Sequence, residues 1–233
     1  MNSFYDDFCA YTDSAKRVGW YDKLDQELKF ALVSEMVGIN DSVLDLGSGL
    51  GDLSRFLSER GHVGNYIGIE KDAALFRASS MLYPDLQLFR QDFMEAPFHE
   101  ADIAICVGGL LSADTLSLES VLAFLKTYPT YILIGISEKS TSSLRLEKSF
   151  VGIPDTLDGQ TIIKLNDNEV AILHNCKPRT TPIQRLENQI SAHSYPAESV
   201  ARALYALDKK ERAIELLREC ESELSRAMLS AWQ

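Results

Sequence analysis

Between Asp22 and Val37 the apolar residues Leu24, Leu28, Leu32 and Met36 recur every fourth position, which predicts a helix with one buried stripe, stopped at Gly38. The period then shortens. Ser42 to Leu46 is a short β-prone run that ends in the glycines of Gly47-Ser-Gly49-Leu-Gly51, after which Leu53, Phe56 and Leu57 mark a helix closed at Gly61. Val63 to Glu70 reads as a second strand, Asp72 to Leu82 as a helix ended by Pro84, and Leu86 to Phe89 as a third strand. Asp102 to Val107 is the fourth strand, Thr115 to Lys126 a helix, and the almost wholly apolar run Tyr131 to Ile136 a fifth strand of the kind buried on both faces.

This alternation of strand and helix implies a mostly parallel sheet with right-handed crossovers and helices on both faces. Such sheets bind ligands at the carboxyl ends of their central strands. Beyond Ser137 the pattern changes to two β-prone runs, Gln160 to Leu165 and Glu169 to Asn175, joined by Asn166-Asp-Asn168, which predicts an antiparallel edge hairpin. Lys177 to Tyr195, with Pro178 and Pro182, reads as polar and irregular. From Pro196 onward two stripes, Val200, Ala203, Leu204, Leu207 and then Leu217, Cys220, Leu224, Ala227, predict two C-terminal helices. Residues 1–176 are expected to form the sheet domain with a helical lead-in, and residues 177–233 a helical extension packed on it. A repeat-type interaction module and a homodimer contact through these helices are the alternatives for the extension.

Composition narrows the function. Of 233 residues 45% are apolar and 24% charged, as in a globular protein, and a formal charge of −11 opposes binding to nucleic acid. Cys9, Cys106, Cys176 and Cys220 lie in four separate segments without metal-ligand spacing, so they read as reduced structural thiols. No stretch has the length and apolarity of a membrane span and the first residues lack a secretion-signal pattern, so a cytoplasmic protein without a membrane partner or metal is expected.

The run Val43-Leu-Asp45-Leu-Gly47-Ser48-Gly49-Leu-Gly51-Asp52 carries the chemistry. Glycines at a strand-to-helix junction let the backbone pass close beneath a ligand. The dinucleotide fingerprint G-x-G-x-x-G fails, because Asp52 stands where the third glycine should be and its carboxylate would oppose a pyrophosphate; a P-loop is not supported either.

What remains is D-x-G-x-G-x-G followed by Tyr66-Ile-Gly-Ile-Glu70-Lys71-Asp72, Phe89-Arg-Gln-Asp92-Phe93 and Ala101 to Gly109. This set resembles the class I S-adenosylmethionine-dependent methyltransferases. The segment Arg17-Val-Gly-Trp20, with Gln26 and the form of the glycine loop, looks like a bacterial group of that family; the resemblance spans approximately residues 11–137. It implies a Rossmann-like, doubly wound, seven-stranded sheet. It also implies that the glycine loop makes room for the methionine and ribose parts of the cofactor and that Asp45 lies near the methionine ammonium. Glu70 would take the ribose hydroxyls and Asp92 the adenine amino group, with Phe93 beside the ring. Trp20, Asp45, Gly47, Ser48, Gly49, Glu70, Lys71, Asp92, Phe93 and Val107 are therefore the candidate cofactor residues. A ligand with an ammonium, a sulfonium and a diol wants carboxylates, and this loop supplies them.

The implied activity is methyl transfer to a small-molecule acceptor, with a regulatory or scaffolding subunit that binds the cofactor without turnover as the alternative. No N-P-P-[YF] follows the fourth strand, which disfavours amide-nitrogen methylation; Gly108 and Gly109 leave open space instead. No catalytic base is assigned. His62, His99, His174 and His193 stand alone, His193 with Tyr195 being the pair best placed to lie over the strand ends, and Cys106 reads as a core residue.

Overall fold

A computed structural model describes residues 14–95, 100–108, 118–137, 156–157, 160–166, 169–220 and 222–232. The helices are α1 (Ser14–Arg17), α2 (Lys23–Ser34), α3 (Asp52–Ser58), α4 (Ala73–Leu82), α5 (Leu118–Leu125), α6 (Pro182–Ala192), α7 (Ala197–Ala206), α8 (Lys210–Arg218) and α9 (Glu223–Trp232). The strands are β1 (Val43–Leu46), β2 (Tyr66–Ile69), β3 (Gln87–Phe89), β4 (Ile103–Val107), β5 (Thr130–Ser137), β6 (Thr156–Leu157), β7 (Gln160–Asn166) and β8 (Glu169–His174).

The strands form one sheet in the order β3-β2-β1-β4-β5-β8-β7-β6. The pairs β1–β2, β1–β4, β2–β3 and β4–β5 are parallel, whereas β5–β8 and β7–β8 are antiparallel. The seven-stranded, mostly parallel sheet with an antiparallel edge hairpin is thus present, and the two-residue β6 adds an eighth strand at that edge. Strand order reverses at β1, which places the crevice above the carboxyl ends of β1 and β4.

Each sheet face is covered separately. Val43, Tyr66, Ile103, Ile105 and Ile132 pack under α2 and α3, where Phe30 meets Phe56 edge-on with ring centres 5.5 Å apart. Leu44, Leu46, Ala104, Cys106 and Leu133 pack on the other face against Val121 and Leu125 of α5. Alternate residues of each strand enter opposite layers, as the two-residue period demands. Burying each Val, Leu or Ile side chain in these layers contributes about 1.5–3 kcal/mol.

A third cluster lies outside α2. Leu24, Leu186, Ala201, Leu204, Ala213 and Leu217 join α2 to α6, α7 and α8. The two C-terminal helices expected from the sequence are corrected here. Part of the polar stretch read as irregular is α6, begun by Pro182 in its first turn and capped by Thr181, whose hydroxyl accepts the Gln184 N–H at 3.3 Å while the Gln184 side chain accepts the Thr181 N–H at 2.9 Å. The second stripe is divided between α8 and α9, because the Ser222 hydroxyl accepts the Ser225 N–H at 2.9 Å and starts a new helix.

Candidate active site

The glycine loop leaves β1 with φ of +79°, +57° and +82° at Gly47, Gly49 and Gly51, a conformation that side-chain-bearing residues adopt only at a cost. The N–H groups of Gly47 and Ser48 both donate to the Ile69 carbonyl, at 2.8 and 3.0 Å, which folds the loop over the end of β2. Glu70 follows directly. Its Oε2 accepts the Gly49 N–H at 2.9 Å and its Oε1 the Asp72 N–H at 2.7 Å. The carboxyl is 6% exposed, and burial raises its pKa against these hydrogen bonds, with the nearby Asp72 charge adding to the rise.

Asp45 lies on the same sheet face, opposite Gly68 in register, and is 3% exposed. The Tyr66 hydroxyl donates to its Oδ2. Burial drives the Asp45 carboxyl up to about 7, the Tyr66 bond opposes that rise, and the Glu70 charge adds to it. The Tyr66 hydroxyl in turn titrates well above its ordinary value, chiefly through burial and then the Asp45 charge. The Ser48 hydroxyl is buried and has no hydrogen-bond partner among the described residues. Gly68 permits this, since a Cβ there would come within 2.9 Å of that oxygen.

Asp52 is buried at the start of α3 and accepts from Gln26 Nε2 and the Tyr83 hydroxyl, each at 3.4 Å. Its carboxylate adds a negative charge to the first turn of α3.

Over the other side of the crevice, the Trp20 ring rests on Gly108, which has φ +76°; a Cβ there would be 2.9 Å from Trp20 Cζ2. Val18 packs similarly on Gly49, at 3.2 Å from where a Cβ would lie. The segment after α1 therefore covers the loop and the end of β4 together. Lys29 Nζ lies 5.0 Å from the centre of the same indole ring and is held by Asp25 and, at 3.1 Å, by Glu169. Burial alone would lower this ammonium, but the two carboxylates outweigh it and its pKa is raised. Lys29 also lines a cavity of about 240 Å³ between α2, α6 and α7, walled by Leu24, Leu28, Arg202 and Ala203 among others.

The structure thus joins Asp45, Gly47, Ser48, Gly49 and Glu70 in one hydrogen-bonded corner, with Trp20 across the crevice. Lys71 and Asp92 pair with each other at 3.7 Å near its rim, and Asp92 also accepts the Met94 N–H at 3.0 Å. Phe93 is enclosed in the α5-side core, 6.1 Å from the Phe124 ring, and Val107 in the α2-side core. The His193–Tyr195 pair is placed elsewhere: Tyr195 donates to Glu27 on α2 and His193 ends α6, exposed. His62 bonds the Asp41 carbonyl at 2.9 Å, His174 stacks on Tyr131, and Cys106 is fully buried in the core. Cys9, His99 and Gly109 lie outside the described residues.

Sequence reasoning missed Tyr66, Asp52 as a buried acceptor, and Lys29. Tyr66 had a signal: residues 66, 68 and 70 share one face of a strand, so a tyrosine two places before Gly68 reaches the carboxylate opposite it. Among the described residues no group of His, Cys, Asp and Glu is arranged to hold a metal ion, and no helix is long and apolar enough to cross a membrane.

Solved structures with this architecture exist. The plantazolicin methyltransferase BpumL, in complex with SAH, superposes over 67% of this chain and 85% of its own with a TM-score of 0.50 at 12% identity. Its complexes with desmethylPZN analogues match over about half of that chain, 52% to 53%. The PH0226 protein from Pyrococcus horikoshii OT3 aligns over 69% of this chain and 93% of its own, with a TM-score of 0.49 and 14% identity. No family model and no curated protein matches the sequence. The chain shares the Rossmann-like fold of BpumL.

Proposed function

We propose that the protein is an S-adenosylmethionine-dependent methyltransferase acting on a small-molecule acceptor. The observation that carries this reading is the pair of buried carboxylates, Asp45 and Glu70, flanking a glycine loop in which no basic side chain neutralises them among the described residues. Buried acids without a protein cation suit a ligand that brings its own. The residues fit the cofactor in two further respects: Ser48 keeps a buried hydroxyl in reserve, and Asp52 disfavours a phosphate-bearing alternative.

When bound, S-adenosylmethionine supplies a methyl group on a sulfonium, already a good leaving group. The chain's own task is then positioning and exclusion of water. Asp45 would receive the cationic amino end and Glu70 the ribose diol. Asp92, with Lys71 at its side and Phe93 behind it, would border the adenine. Trp20, seated on Gly108, and Val107 would close the end of β4. The charge of −11 speaks against nucleic acid as the acceptor. A cytoplasmic location belongs to the same reading.

Calorimetric titration with S-adenosylmethionine, S-adenosylhomocysteine and NADH tests it, followed by a search for S-adenosylhomocysteine formation with candidate acceptors. Binding of the first two with turnover is expected. Binding of NADH in their place overturns the reading, and binding of both sulfur ligands without turnover on any acceptor favours a regulatory subunit.

A further inference from the structure

Asp45 and Tyr66 form a pair built across two strands. Asp45 is in register with Gly68 of β2, so Tyr66, two residues earlier, lies diagonally across from it on the same face. The hydroxyl donates to Asp45 Oδ2, and the residues are 7% and 3% exposed. The charged groups that face the pair are Glu70, at the end of β2, and Asp52, at the start of α3, both acids. Among the described residues no basic side chain forms an ion pair with Asp45. A carboxylate so enclosed needs a donor to stay charged and in one orientation, and the Tyr66 hydroxyl is a donor the fold aims at it.

We infer that Tyr66 is a positioning residue of the ligand site: its hydroxyl fixes the Asp45 carboxylate in the orientation that receives the cationic amino end of the ligand. This rests on the cofactor reading proposed above. Tyr66 acts through Asp45 and touches no ligand itself.

The pH dependence follows in sign. Burial and then Glu70 hold a proton on Asp45 up to about 7, and the Tyr66 bond works the other way. An ammonium ligand selects the ionised acid, so its affinity rises as pH passes through that value, and proton release accompanies binding below it. Removing the hydroxyl leaves burial and Glu70 unopposed, which displaces the rising limb to higher pH.

The test is calorimetry between about pH 6 and about pH 9 on the full chain, unaltered and as Tyr66→Phe, with two probes. S-adenosylhomocysteine carries the amino-acid end, whereas 5′-methylthioadenosine keeps adenine and ribose but lacks that end. In the variant, S-adenosylhomocysteine should bind about tenfold more weakly near neutral pH, with its pH profile moved upward, and 5′-methylthioadenosine should bind as before. Asp45→Asn, which keeps an acceptor for Tyr66, should lose the pH limb and serves if Tyr66→Phe does not fold. An unchanged S-adenosylhomocysteine profile, or equal weakening of both probes, overturns the assignment. Failure of the unaltered protein to bind either probe overturns the cofactor reading itself, a result distinct from the other two.

Discussion

The backbone N–H of Gly49 donates to Oε2 of Glu70 at 2.9 Å, so the middle of the glycine loop and the end of β2 are one hydrogen-bonded unit. With Oε1 taken by the Asp72 N–H, both oxygens of this acid accept from the backbone before any ligand arrives. The carboxylate is thereby held in place by the same loop that it holds.

Glu70→Gln turns one of those acceptors into a donor facing a backbone N–H. A buried donor left without an acceptor costs about 1–3 kcal/mol, so the variant should melt below the unaltered protein. Its affinity for S-adenosylhomocysteine should fall by about tenfold or more. Thermal melts and calorimetry read the two effects; an unaltered melting temperature contradicts the first.

Asp45→Asn should stabilise the unliganded protein at high pH. The folded value of about 7 lies above the ordinary 3.8. Stability linked to that proton is therefore full below the ordinary value and is lost as pH rises through about 7. Asparagine removes this pH dependence and still accepts from Tyr66. The variant should melt above the unaltered protein near pH 8, with the gap narrowing as pH falls toward about 5, and melts at the two pH values compare them directly.

Gly108→Ala carries two separable penalties. The new Cβ would meet Trp20 Cζ2 at 2.9 Å, and the φ of +76° disfavours any side chain. The backbone part costs about 1–2 kcal/mol, and displacement of the ring adds to it. Combining the change with Trp20→Ala should relieve the steric part alone, so the double variant should be more stable than the two single losses summed. Additive losses in denaturant titrations would place the ring elsewhere.

The Glu35 carboxylate accepts the Arg179 N–H at 2.8 Å, the Thr180 N–H at 3.0 Å and Arg185 Nε at 3.0 Å, and so ties α2 to α6. Burial would raise its pKa, but the Thr180 and Arg185 bonds prevail and lower it. The stabilisation is therefore present above the ordinary carboxylate value and is lost as pH falls through the depressed one. Glu35→Gln should cost about 2 kcal/mol and speed hydrogen exchange in α6. Exchange confined to α9 instead would show that the anchor lies elsewhere.

The placement of the candidate site was legible where chemistry and position coincide in one short run. Asp45, the three loop glycines and Glu70 stand at strand ends, where a period change in the sequence marks the place. Tyr66 was overlooked because the alternation of residues 66, 68 and 70 gives its face but not its partner, which the register of β1 beside β2 fixes. Helix α6 was missed for a related reason: Pro182 reads as a breaker, yet at the first helical turn it costs no hydrogen bond, and the Thr181–Gln184 box was the overlooked sign. The division between α8 and α9 turned on one serine hydroxyl, Ser222, within an otherwise continuous apolar stripe. His193 and Tyr195 were drawn toward the strand ends by their polar surroundings, but Glu27 on α2 fixes Tyr195.

The chain has two tryptophans, and they pack against different clusters. Trp20 lies on Gly108 beside the Lys29 ammonium, while Trp232 stacks on Tyr205 with ring centres 4.1 Å apart. Replacing Trp232 by phenylalanine would leave Trp20 as the single tryptophan, so emission excited selectively over the nine tyrosines reports on the crevice. The molecule thus carries its own optical gauge of what enters that space, free of any attached label.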